Sequence, residues 1–347
     1  MVRSTLAPWL LVLAALVGCS RARAGDAPLG RLALPSVPRI ATAPRASVAP
    51  LTDALRAKGF NECNPHDPLG LGPYAPWAPL RLGRIAIPQK GGHTPDMGYD
   101  VLVHFHGGDA VRKLLVQVAR GVVLVTVDKG VGGGPYARAL GSPLVFPLLR
   151  KSIEGALRRH TGSDAAHTRH LAVSAWSAGT VAIGKILSQG HDDVDAFVIL
   201  DGLHGAWKQG ARRSPDPGSL DARFIQREID LAKRALSGKP VFVLTHSRVE
   251  PYTYPSTAST AALLLEELGL TPTTLDPAGS PFGQTSALDQ EGLHVWGFRG
   301  NEKMGHCAQL YQLPRIVTEL LEAAWQTPAM DRSVPPTPAE PWKRKKR

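Results

Sequence analysis

Short apolar runs alternate with amphipathic stretches over most of this chain. The runs are rich in Val, Ile, Leu and Phe with few polar interruptions, as expected of strands buried on both faces. They predict strands at 84–88, 101–106, 122–127, 171–174, 196–200, 241–244 and 293–300. Between them, helices are expected at 144–160, 178–187, 222–236 and 259–268, the last with Ala261, Leu264, Leu265 and Leu268 at helical spacing. A final helix is expected over 308–325. Strands alternating with helices in this way imply an α/β architecture, a mostly parallel, doubly wound sheet with helices on both faces.

The two ends of the chain break the pattern. A basic start, Val2-Arg3, precedes an apolar core of about ten residues at 8–17, too short to span a bilayer. It reads as an export signal over 1–18. Leu16-Val17-Gly18-Cys19 resembles a bacterial lipobox, which implies cleavage before Cys19 and lipidation of its thiol. The acyl chains would then anchor the protein to membrane. Ser20 stands where such lipoproteins often carry an aspartate for inner-membrane retention, so the expected location is the cell envelope, at the outer membrane. Residues 19–50, rich in Ala, Pro and Arg, read as a tether. The stretch 326–347, with its prolines and its Lys343–Arg347 run, reads as a basic disordered tail. One domain of substantial core, 51–325, remains between them.

Charge adds little to this picture. The net charge is +11, and the last five residues supply five of it. An exported basic tail suits an anionic envelope polymer or lipid better than DNA, and no nucleic-acid motif accompanies it.

Candidate chemistry centres on LAVSAWSAGTVAIGKIL, 171–187. An apolar strand passes through a tight small-residue turn into a helix, with Ser177 at its apex. Ala175 and Gly179 occupy the positions two before and two after, which a sharp strand-to-helix reversal forces together. This is the small-x-Ser-x-small form of a nucleophile elbow. A serine nucleophile also needs an oxyanion hole, a base and an acid. Upstream, DVLVHFHGGDA ends a strand in His106-Gly107-Gly108, whose glycines allow close backbone approach to a ligand. Downstream, the last strand runs into a loop, 301–305, and His306 opens the final helix.

Oxyanion glycines, serine, acid and histidine in this order resemble the α/β-hydrolase superfamily over about 84–325. The resemblance implies Ser177 as nucleophile, His306 as base, and an oxyanion hole from the N–H of Ala178 with one of Gly107 or Gly108. It implies no cofactor. For the acid it offers two positions. Asp201 ends the strand at 196–200, and Glu250 follows the strand at 241–244; Asp201 is favoured because it sits directly at a strand end on the catalytic edge. Asp276 and Asp289 lie in segments of weaker strand character.

With Cys19 lipidated, Cys63 and Cys307 are left for one disulfide, which an oxidising envelope permits and which would tie the 61–67 loop beside His306. His104-x-His106 with Asp109, His204 or His246 gives no complete metal-ligand set, so no metal is expected. The Gly130–Gly134 run lacks the Gly-Lys-Ser/Thr of a phosphate loop and reads as a pocket wall. The segment 205–220 leaves the active edge as a connector or lid. Trp176 and Trp296 read as wall or core aromatics; Tyr252, Tyr254 and Ser256 stand near the second acid candidate. The expected substrate is a small or polymeric carboxylic ester, with acylated polysaccharide among the polymers. The alternatives are a serine peptidase, an acyltransferase, and a tethered binding protein without turnover.

Overall fold

The computed structural model describes residues 48, 51–191, 193–211, 214–280 and 282–338. The signal segment, Cys19 and the basic run at 343–347 lie outside the described residues. The described residues fall within one compact unit, 44–347.

A short helix α1 (Asp53–Ala57) leads into the sheet strands β1 (Ala78–Pro79), β2 (Arg84–Ala86) and β3 (Gly98–Phe105). Helix α2 (Gly108–Val118) connects to β4 (Val123–Val127), and α3 (Gly134–Ala139) and α4 (Val145–Thr161) follow. Then come β5 (His167–Trp176), α5 (Thr180–Ser188), β6 (Ala196–Leu200), α6 (Gln226–Ala235), β7 (Val241–His246) and α7 (Thr257–Glu267). An antiparallel edge, β8 (Thr273–Thr274) and β9 (Gln284–Gln290), precedes β10 (Leu293–Phe298). The chain then turns helical from α8 (Lys303–Ala308) through α9 (Gln312–Arg315) to α10 (Glu322–Trp325), with a π-helical stretch, Ile316–Leu321, between the last two.

The strands form one sheet in the order β1-β2-β4-β3-β5-β6-β7-β10-β9-β8. The six central strands, β4 to β10, are parallel, and β2 and β9 run against them. This is the α/β-hydrolase fold. Strands β3, β4 and β6 are buried at every position, which is why their sequences are apolar without alternation. Two apolar layers cover the two faces. One holds Val103, Phe146, Ile183 and Phe242; the other holds Leu102, Leu114, Val198 and Leu313.

Two expectations are corrected. The final helical region begins at Lys303, so His306 lies inside α8 rather than at the opening of the helix. The tail does not begin at 326. Thr327 Oγ1 donates to Asp100 (2.6 Å), Met330 is buried and its N–H donates to the Arg120 carbonyl, and Thr337 donates its N–H to the Gly72 carbonyl while accepting from Leu71 N. The Arg332 guanidinium also reaches the carbonyls of Val116 and Ala119 at the end of α2. Residues 326–338 thus belong to the body of the domain, held by backbone pairing that needs no apolar periodicity.

Candidate active site

Adjacent parallel strands β3, β5 and β6 each hand over, at their C-terminal ends, to a non-glycine residue with left-handed backbone. These are His106 (φ 73°), Ser177 (φ 52°) and Asp201 (φ 45°). Such conformations cost of order 1–2 kcal/mol each and persist where surrounding structure enforces them. Their convergence singles out this edge of the sheet.

The elbow is enforced sterically. A Cβ on Gly179 would lie 2.3 Å from the Phe105 carbonyl oxygen, and one on Gly202 would lie 2.7 Å from the Ser177 oxygen and 2.1 Å from Thr180 Oγ1. Ala175, two residues before the serine, is fully buried. Strand β5 therefore reverses into α5 with no room for larger side chains, and the short turn Ser177–Gly179 leads with Ser177.

His306 Nδ1 meets Asp201 Oδ2 at 2.7 Å. Asp201 is almost wholly buried, and its carboxylate also accepts from Ser247 N (2.8 Å), Ser247 Oγ (2.6 Å) and Thr257 Oγ1. Burial pushes this carboxyl upward. The hydrogen bond and charge of His306, with the two hydroxyls, more than offset that and hold it below the usual carboxylate value. An ionised Asp201 fixes the His306 tautomer with its proton on Nδ1, leaving Nε2 as the basic nitrogen. Trp176 adds two further restraints. Its Nε1–H donates to the His306 carbonyl (3.1 Å), and its ring lies 4.8 Å from the imidazole. The neighbouring Cys307 is disulfide-bonded to Cys63.

Glu250 is not brought to this site. It is exposed on the loop after β7, while the same loop delivers Ser247 to Asp201. Asp276 caps a short turn through Ala278 N, and Asp289 is engaged by His294 and Trp296 Nε1. Ser247 and Thr257 were not singled out from sequence; they lie 46 and 56 residues from Asp201, and no local motif announces them.

The oxyanion candidates separate. Gly108 N–H donates to Asp128 Oδ1 (3.2 Å), so it is committed. Gly107, with φ 81°, precedes α2 and packs against the Trp176 ring, where a Cβ would come within 3.0 Å. Its N–H and that of Ala178, which lies in the first turn Ser177–Gly179, remain the oxyanion candidates.

His104 is engaged at both ring nitrogens. Its Nε2–H donates to the His106 carbonyl (2.7 Å), so Nδ1 accepts from Ser174 Oγ (2.8 Å). Burial lowers its pKa to about 4, and it is a neutral brace beneath the His106-Gly107 turn. His106 stacks on Trp176 at 5.1 Å and contacts Tyr136 OH through Nδ1 (3.0 Å). Among the described residues, no group of three or more His, Cys, Asp or Glu is arranged to hold a metal ion.

The Gly130–Gly134 loop packs against α5, where a Cβ on Gly133 would lie 2.7 Å from Val181. Trp207 bridges to Leu220 across the 205–220 segment. Ser256 caps α7 by accepting from Ser259 N, Tyr252 is exposed, and Tyr254 packs its ring against His204. Trp296 lies under the Arg315 guanidinium.

No family model and no curated protein matches the chain. Solved structures similar to it include an uncharacterised protein from Capnocytophaga ochracea, at 11% identity and a TM-score of 0.36 over 67% of this chain and 59% of that one. The BES protein from Bacillus cereus has 13% identity and a TM-score of 0.40, covering 70% and 92%. A thermophilic esterase from Thermogutta terrifontis has 16% identity and a TM-score of 0.39, covering 73% and 94%. Likeness at these scores says nothing about the chemistry of this chain.

Proposed function

We propose that this chain is a serine hydrolase of carboxylic esters. The observation that carries the reading is the hydrogen bond from His306 Nδ1 to the buried, ionised Asp201, on the strand edge that presents Ser177 at a constrained elbow. In this reading His306 Nε2 takes the Ser177 proton as Oγ adds to the ester carbonyl. The negative charge moves to the carbonyl oxygen, where the N–H groups of Gly107 and Ala178 receive it. Asp201 stabilises the imidazolium without taking its proton. His306 then protonates the departing alcohol, and water, deprotonated by the same nitrogen, releases the acid and restores Ser177.

A cavity of about 400 Å³, lined by Gly107, Trp176 and Leu310 among others, opens beside the oxyanion glycines and offers room for substrate. Delivery to the envelope through a lipidated Cys19 belongs to the same proposal. Radiolabelled palmitate incorporated by the parent and not by Cys19→Ser would support it, and equal labelling would sink it.

The hydrolase reading is tested with a fluorophosphonate probe on the full chain in detergent, with Ser177→Ala alongside. Labelling of the parent alone supports an activated serine. Silence from a folded parent refutes it and leaves a tethered binding protein as the better account.

A further inference from the structure

We infer that the cavity beside the oxyanion glycines binds the sugar ring of an acylated saccharide, with Asp128 accepting a sugar hydroxyl. The inference rests on the ester-hydrolase reading and names its substrate class.

The cavity wall has apolar and charged parts. Trp176 and Leu310 line it together with Arg84, Lys113, Asp109 and Asp128, two cations and two carboxylates, with Asn64 among them. The charges cancel, so the wall selects neither an anion nor a cation. A hydrocarbon chain would strip water from these groups and return no hydrogen bond. A hydroxylated ring suits both parts, because it carries donors and acceptors around its edge and C–H groups on its faces.

Asp128 gives the inference its focus. It follows directly on β4, and its Oδ1 receives the Gly108 N–H (3.2 Å). Only glycine at 108 permits that approach, since a Cβ there would lie 2.6 Å from Asp128 Oδ2. Among the described residues Asp128 has no ion-pair partner, and it is exposed to the cavity. A carboxylate so close to the oxyanion donors opposes the charge that must develop there. Helix capping alone would be met as well by asparagine. A retained charge is explained if Oδ2 accepts from a substrate hydroxyl, a charge-assisted bond stronger than a neutral one. Across the cavity, Asn64 Oδ1 accepts from Lys113 Nζ (2.8 Å), and Lys113 also pairs with Asp109 (3.1 Å). That pairing turns the Asn64 amide so that its NH₂ remains to donate to a sugar oxygen.

The test uses two esters matched in ring size, methyl 6-O-acetyl-glucopyranoside and cyclohexylmethyl acetate, on the full chain and three variants. The measured quantity is the ratio of their kcat/KM values. The parent favours the sugar ester, and Asp128→Asn and Asn64→Ala each reduce the ratio, by about tenfold for the charged acceptor. Lys185→Gln, on the middle of α5, leaves the ratio unchanged. Equal turnover of the two esters by the parent overturns the inference, as does a ratio unmoved by Asp128→Asn. Either result, with Ser177 still labelled by fluorophosphonate, leaves the hydrolase reading standing. Absence of labelling and of all turnover removes both.

Discussion

The Cys63–Cys307 bridge makes a quantitative claim about stability that separates from its effect on the site. It joins residues 244 apart in sequence, so it closes most of the domain into one loop. Chain-entropy arguments assign such a loop about 5 kcal/mol, toward the upper end of what disulfides contribute. Replacing both residues, as Cys63→Ala with Cys307→Ala, adds a small cavity at Cys307, which is 2% exposed. For a domain of this size the melting temperature should fall on the order of 10 °C. Reduction of the parent by a phosphine should give a similar fall without the cavity, so the two perturbations check one another. Turnover should decline much less steeply, by about tenfold. His306 keeps its bond to Asp201 (2.7 Å) and its carbonyl anchor to Trp176 (3.1 Å) when the bridge is gone, and a loosened rather than lost geometry costs on that scale. The assays are thermal melts in the presence and absence of reductant, with ester turnover measured well below the transition. A double variant that melts within about 2 °C of the parent would refute the entropic account. Thiols at Cys63 and Cys307 that react in unreduced, denatured protein would remove the bridge itself.

Other outcomes follow from the same geometry. Asp201→Asn should lower kcat by about 10³- to 10⁴-fold, because it turns the imidazole toward the wrong tautomer, while Glu250→Gln should stay within about twofold; reversal of that order would show that the acid has been misassigned. Since Asp201 titrates below its ordinary value, its stabilisation is complete above the unfolded value near pH 4 and is lost as pH falls through the lower native one. Unfolding measured by denaturant from pH 6 to pH 2 should therefore show an acid arm that flattens in Asp201→Asn; an equally steep arm in the variant would locate the effect elsewhere. Gly202→Ala drives a methyl into Thr180 Oγ1 and the Ser177 backbone, and should cost roughly 2–3 kcal/mol while abolishing fluorophosphonate labelling. A stable, fully labelled Gly202→Ala protein would mean that the elbow has slack the contacts do not allow.

The legible parts of this molecule are those whose physics is local. Strands buried on both faces must be apolar throughout, and this placed β3 to β7 and β10 within a few residues. The elbow was legible because Ala175 and Gly179 answer to a clash between neighbours in sequence. What stayed hidden depends on partners far along the chain. Residues 326–338 look like a disordered tail because prolines and polar residues carry no periodicity, yet Thr337 and Met330 are held by Gly72 and Arg120. Strand β9 was hidden for a related reason, since its partial burial comes from pairing with β10 and not from an apolar pattern of its own. The ambiguity between Asp201 and Glu250 has the same origin. Both follow strands at the catalytic edge, and spacing alone separates them weakly. The difference is that a buried carboxylate is tolerable only where donors surround it. Asp201 receives four hydrogen bonds, two of them from Ser247 on the very loop that carries Glu250. The loop after β7 thus serves the acid instead of supplying it, and the choice between two carboxylates becomes a question of which one the neighbouring hydroxyls can satisfy.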